Sequence, residues 1–222
     1  GATLTAIRTG AVGGVGIDST TKKDIESIGL IGAGVQGYYQ ILFATKVRDI
    51  KKVNIFDTYK DKLGEFKERL QKELPNIEIN ICEDNVELVK NSDTVITTTT
   101  ATKPVLPNDR QLLAGKHFIG IGSYKPNMRE FPEALFSLLD NIVIDTEIGK
   151  NKNGDLITPI KEGWIEESSI YNFSKLITNK ITLDTSKTTL FKSVGMALFD
   201  VVVGNYIYEK AKDLGCGTEI NL

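Results

Sequence analysis

From Glu26 onward the chain alternates short apolar runs with longer amphipathic stretches. Ile28 to Ile31, Lys52 to Phe56, Ile77 to Ile81, Asp93 to Ile96, Phe118 to Ile121 and Asn141 to Ile144 each read as a strand, because a strand covered on both faces needs a nearly continuous apolar run. Between them the spacing predicts helices over 36–48, 60–74, 85–91 and 132–139, the second of them stopped by Pro75. This alternation predicts an α/β fold, a Rossmann-type doubly wound parallel sheet that the sixth strand completes. Before it, Leu4, Ile7, Ala11 and Val15 fall at helical spacing. No strand precedes Gly10, Gly13, Gly14 and Gly16, so these glycines suit close helix packing better than a second phosphate loop. After the sixth strand, 149–187 reads as polar and irregular apart from a helical run near Phe173 to Thr178. The last element reads as one helix from Thr189 to about Leu214, with Val194, Leu198, Val201, Val202, Ile207 and Ala211 on its apolar face and Gly215 and Gly217 ending it. The expected division is a linker helix at 1–20, a dinucleotide-binding domain at 21–148 and a C-terminal segment at 149–222.

The chemistry begins where the first strand breaks into glycines. Gly32, Gly34 and Gly37, with Ala33, Val35 and Gln36 between them, have the G-x-G-x-x-G spacing in which the first glycine allows the turn, the second admits a pyrophosphate and the third lets helix and strand approach. The helix that follows points its free N–H groups and positive dipole end at the phosphates. The second strand ends in Asp57, twenty positions after Gly37, where an acid accepts hydrogen bonds from the adenosine ribose; Thr58 belongs to the same end of the site. A carboxylate there favours NAD, while Lys60 keeps NADP possible. Thr97 to Thr100 lie at the carboxyl end of the fourth strand, the edge where such sheets bind ligands, and Thr98 and Thr99 are taken as cofactor contacts. The loop Gly122 to Glu130 follows the fifth strand and is expected over the nicotinamide, whereas His117 enters that strand at the far end and is read as structural. Arg8, among small apolar residues, calls for an anionic partner, a phosphate or a carboxylate, unless it faces solvent. Trp164 is read as packing.

Composition narrows the function classes. A hydrophobic fraction of 41% with 25% charged residues is that of a soluble globular chain, and a net charge of -2 supplies no basic field for nucleic acid. No apolar run approaches a membrane span. Two distant cysteines, Cys82 and Cys216, argue against a disulfide framework and for a cytoplasmic protein, and a single histidine leaves no His-rich metal site.

Six segments in order resemble the ornithine cyclodeaminase and mu-crystallin family, which also holds an archaeal type of alanine dehydrogenase and imine reductases. They are Leu4 to Gly10, Gly32 to Gly37, Thr97 to Leu106, Gly122 to Glu130, Asp155 to Gly163 and Leu190 to Asp200. The resemblance implies that Arg8 and Thr9 meet the cofactor pyrophosphate and that the turn Ser193, Val194 and Gly195 approaches the nicotinamide. The family's cyclodeaminases carry an Asp two residues before the loop proline, and here that position is Tyr124. A phenol with a pKa of about 10 is no carboxylate base near neutral pH, so the resemblance points away from ornithine cyclisation and leaves Tyr124 as the local candidate proton donor. The implied activity is NAD-dependent hydride transfer at a nitrogen-bearing carbon of a small amino acid or cyclic imine. The alternatives are a nucleotide-gated binding protein of mu-crystallin type and a cofactor-binding fragment inactive alone. Family members carry a substrate domain before the linker helix and form homodimers; this chain begins at that helix, so most substrate contacts are expected from a further segment.

Overall fold

The computed structural model describes residues 1–218 and Ile220. Parallel strands β1 (Ser27–Ile31), β2 (Lys52–Phe56), β3 (Glu78–Ile81), β4 (Thr94–Thr97), β5 (His117–Gly120), β6 (Ile142–Ile144), β7 (Ile170–Asn172) and β8 (Thr189–Lys192) form one sheet in the order β3-β2-β1-β4-β5-β8-β6-β7. The first six lie where the apolar runs put them. Their side chains alternate between two cores. Ile28, Leu30, Val53, Ile55, Ile96, Ile119 and Phe191 point to one face, and Ile31, Val95, Phe118, Ile142 and Leu190 to the other.

Helices cover both faces. On the first face lie α1 (Ala2–Thr20), α2 (Val35–Val47) and α3 (Leu63–Glu73). On the second lie α4 (Asn85–Lys90), α5 (Arg110–Leu113), α6 (Glu133–Phe136) and α7 (Gly154–Lys161). The short helix α8 (Phe173–Ile177) returns to the first face. Its Phe173 stacks on Phe191, ring centroids 5.1 Å apart.

The C-terminal third departs from the sequence reading. Thr189 to Lys192 is not the start of a helix but a buried strand, paired with β5 through His117 and Thr189 and with β6 through Ile142 and Leu190. The chain then turns at Gly195, whose φ of 77° lies in the left-handed region, and only afterwards enters α9 (Ala197–Asp213). A strand buried on both faces and the helix behind it are both apolar, and periodicity alone does not separate them. Residues 149–187, read as irregular apart from the helical run that is α8, also supply α7 and β7, so the sheet continues past β6. The apolar positions of α9 do not face a core here: Leu198, Val201, Val202 and Ile207 are exposed.

Helix α1 is seated by its glycines. A Cβ on Gly10 would meet Phe43 and Tyr39, one on Gly14 Phe43, one on Gly13 the Gln40 amide, and one on Gly16 the Phe191 ring. Close helix packing is therefore what they serve. The Gln40 amide donates to the Thr9 carbonyl at 2.8 Å, and the buried Arg48 guanidinium donates to the Asp18 and Ile17 carbonyls at the other end of α1, at 2.8 and 3.2 Å. These contacts fix Arg8 and Thr9 relative to α2.

Candidate functional site

The glycine loop has the three properties its spacing requires. Gly32 has φ of 103°, and a Cβ there would press on the Thr98 backbone. Gly34 has open space where its Cβ would be, and a Cβ on Gly37 would strike the Gly32 carbonyl oxygen. Helix α2 starts without a side-chain cap, so its first N–H groups are available to an anion. The Asp57 carboxylate accepts from the Ala33 N–H at 2.7 Å and the Tyr59 N–H at 2.9 Å, which ties the end of β2 to the loop. Lys60 donates to the Glu83 carbonyl at 3.1 Å and not to Asp57.

Two clefts meet at Thr98, Thr99 and Thr100. The larger, about 580 Å³, lies over the glycine loop and the end of β2, the side expected for adenosine, and includes Gly32, Gly34, Asp57, Thr58, Tyr59 and Asn85 among its lining residues. The smaller, about 340 Å³, lies between α1, α2 and the ends of β4, β5 and β8, and brings together Arg8, Thr9, Gln36, Tyr124, Ser193, Val194 and Gly195 with Thr5, Ile121 and Gly122. Of the sequence-based candidates, Ala33, Val35 and Gly37 line neither cleft. Ala33 acts through its N–H on Asp57, Val35 is exposed and Gly37 is a packing contact. A dinucleotide fits this edge: the space over Gly34 is open enough for a pyrophosphate, and the buried Gln36 Oε1 has no hydrogen-bond partner among the described residues.

Arg8 does have an anionic partner, since its Nε donates to Asp200 Oδ1 of α9 at 3.1 Å, with the Thr5 hydroxyl on the same oxygen at 3.2 Å. Its two Nη groups make no protein hydrogen bond among the described residues and lie beside Gly195. The Ser193 hydroxyl is engaged by Asp145, whose carboxylate also accepts from the Val194 and Gly195 N–H groups at 3.1 and 2.8 Å. In the active-site loop the Ser123 hydroxyl is likewise engaged, donating to the Met128 carbonyl at 2.7 Å, which leaves the half-exposed Tyr124 phenol as the loop's free hydroxyl on the cleft.

Beneath the smaller cleft lies a charged cluster that the sequence does not announce. Lys192, Glu130 and Asp155 are wholly buried, with Lys192 Nζ 3.3 Å from Asp155 Oδ2 and 3.8 Å from Glu130 Oε2. Burial pushes the Glu130 carboxyl above the usual carboxylate range, against the pull of the Lys192 ammonium. The available signal was a lysine inside the apolar run Leu190-Phe191-Lys192. Far from this edge, His117 has the structural role expected of it. The Thr189 hydroxyl donates to the Thr20 carbonyl and so accepts from His117 Nδ1–H at 2.9 Å, while Nε2 accepts the Lys22 N–H at 3.2 Å. That network assigns the neutral ring, and burial holds its pKa down to about 4.

A profile of the ornithine cyclodeaminase/mu-crystallin family matches residues 1–215. The chain belongs to this family. Within it, the chain is 33% identical over 226 residues to a Delta(1)-pyrroline-2-carboxylate reductase of Bacillus cereus, covering 99% of this chain and 68% of the relative. The Thermococcus litoralis Delta(1)-pyrroline-2-carboxylate reductase, solved with NADH and L-proline, superposes with a TM-score of 0.91 at 34% identity, covering 98% of this chain and 68% of that one. An archaeal alanine dehydrogenase dimer with bound NAD gives 0.87 at 26% identity, covering 98% and 67%.

Proposed function

We propose that this member of the ornithine cyclodeaminase/mu-crystallin family reduces the C=N bond of a small cyclic imine that carries a carboxylate, using NADH. Its class is a nicotinamide-dependent oxidoreductase acting on imines and amino acids, as are the relatives it matches along nearly its whole length. When bound, the nicotinamide supplies or takes up the hydride. The chain's own residues hold the cofactor and part of the substrate site. The open backbone at Gly34 and the start of α2 hold the pyrophosphate, Asp57 offers acceptors to the adenosine ribose, and Thr98 and Thr99 line the passage between the clefts. Arg8 keeps its two Nη groups for an anion, phosphate or carboxylate, and Tyr124 supplies the proton that the reduced nitrogen takes up.

One observation carries the choice of reduction over cyclodeamination. The smaller cleft is lined by Arg8, hydroxyls, the Gln36 amide, the aliphatic Ile121 and Val194, and backbone, and none of its described lining residues is a carboxylate. A cyclodeaminase of this family needs a carboxylate at the position of Tyr124, whereas imine reduction needs a cation for the substrate carboxylate and a proton donor. A homodimer and a cytoplasmic location complete this reading. The first rests on the archaeal dehydrogenase solved as a dimer, and the second on free Cys82 and Cys216.

The test is NADH consumption by the intact gene product, followed by absorbance, with Delta(1)-pyrroline-2-carboxylate, its six-membered homologue and L-ornithine as substrates. NADH should be consumed with the cyclic imines, and ornithine should release no ammonia. Tight NADH binding with no consumption on either imine would overturn the enzyme reading in favour of a binding protein.

A further inference from the structure

Three strand-end loops build the nicotinamide side of the smaller cleft: Thr98 to Thr100 after β4, Gly122 to Tyr124 after β5 and Ser193 to Gly195 after β8. The buried Glu130 carboxylate touches two of them directly. Its Oε1 accepts from the Thr99 N–H at 2.7 Å and the Thr99 hydroxyl at 2.8 Å, and its Oε2 accepts from the Ser123 N–H at 3.0 Å. The third loop begins one residue after Lys192, whose ammonium faces that same Oε2 and Asp155 Oδ2. Asp155 closes the arrangement from α7 by accepting from the Glu130 and Phe131 N–H groups at 2.6 and 3.0 Å. The space is kept by glycines. A Cβ on Gly120 would press on the Lys192 stem and the Phe131 ring, and one on Gly122 would meet Thr99 and Glu130 Oε1.

Lys192 Nζ and Asp155 Oδ2 make no hydrogen bond among the described residues, so the ammonium is held by charge alone between two carboxylates. Such an arrangement is a poor source of stability, since desolvating three charges offsets most of the attraction between them. Its value lies in geometry. Glu130 is one rigid acceptor for two different loops, and the lysine that fixes Glu130 is covalently continuous with the third.

We infer that Glu130, Lys192 and Asp155 are positioning residues that set the spacing of the three loops at the nicotinamide end while leaving the adenosine end untouched. The inference rests on reading the joined clefts as the NAD(H) site; the cluster's side chains touch no residue that lines only the adenosine side, and the one such contact, the Glu130 carbonyl accepting from the Val105 N–H at 2.9 Å, is main-chain and survives side-chain substitution.

The experiment compares NADH with ADP-ribose, which lacks the nicotinamide, by isothermal titration of the intact gene product and two variants. Glu130→Gln leaves one ammonium facing one carboxylate and turns one of the two acceptor oxygens into a donor, so that only one of the two loops keeps its acceptor; Lys192→Met removes the ammonium. NADH affinity should fall about tenfold or more in each variant, while ADP-ribose affinity stays within about twofold. Hydrogen exchange without any nucleotide gives a second reading. Peptides spanning 97–101, 120–131 and 192–197 should exchange faster in the variants, with 31–37 unchanged. If Lys192→Met does not fold, Glu130→Gln decides. Equal loss of both nucleotides together with uniform faster exchange would reduce the cluster to a general stability element and overturn the inference, as would two unchanged affinities with unchanged exchange. Wild-type protein that binds neither nucleotide, with variant exchange rising only at the three loops, would remove the NAD(H) reading and leave the loop-setting role standing.

Discussion

At the scale of single residues, the site divides into groups whose job the backbone dictates and groups whose job only the tertiary structure reveals. Gly32, Gly34 and Gly37 belong to the first kind: the left-handed φ of Gly32 and the approach of Gly37 to the Gly32 carbonyl oxygen require glycine as their spacing states, and the space over Gly34 is open. Tyr124 is intermediate, since its place in the loop was legible and its chemistry was not. If it is the proton donor, Tyr124→Phe should lower kcat about 100-fold while NADH affinity stays unchanged by titration. An unaltered kcat would assign the ring to packing. His117 makes a prediction about stability. Its folded pKa of about 4 lies below the ordinary 6.5, so between those values the unfolded chain binds more protons and the fold loses stability as pH falls. Above 6.5 the neutral ring carries no such penalty, and below about 4 the loss levels off because both states are protonated. Urea midpoints at pH 7 and pH 5 should therefore differ more for the wild type than for His117→Gln; an identical difference would attribute the pH dependence to other groups. Lys192, Glu130 and Asp155 were not legible, because a charged residue in a sequence reads as surface, and nothing local says that three distant ones share a dry site.

At the scale of elements, legibility followed how far the local pattern could be satisfied in only one way. The first six strands have that property: a short apolar run, glycine or polar punctuation, then an amphipathic helix. Strand β8 does not, since Thr189 to Phe199 is apolar enough for either state, and only the four residues Ser193 to Met196, turning at Gly195, separate strand from helix. The glycines of α1 were ambiguous between loop and packing until the contacts settled them. Gly13→Val would force its side chain against the Gln40 amide and lift α1 from α2. It should destabilise the protein by about 1–3 kcal/mol. It should also weaken NADH binding, because Arg8 and Thr9 ride on the same helix. Chemical denaturation and nucleotide titration on the same sample check both effects, and a loss of stability with full NADH affinity would show that the helix does not set the cleft.

At the scale of the whole molecule, one sheet carries two halves with different dependence on the chain. The adenosine half, β1 to β4 with their helices, is built from consecutive sequence. The nicotinamide half is not, because β8 lies between β5 and β6 and bonds to both. Ending the chain before Thr189 should therefore leave two inner strand edges unpaired and abolish cooperative unfolding by circular dichroism. Ending it after Met196 removes α9, whose residues are largely exposed, and the residues that follow it, and should preserve the transition. A cooperative transition in the shorter chain would show that β5 and β6 close without their central partner.

That insertion also bears on how the protein is made. During synthesis β5 and β6 leave the ribosome well before β8, so the nascent chain carries two open, apolar strand edges until residue 192 has emerged. Parallel edges of this kind are prone to pairing with other chains. The protein is therefore expected to depend on chaperone shelter between the emergence of β6 and that of β8.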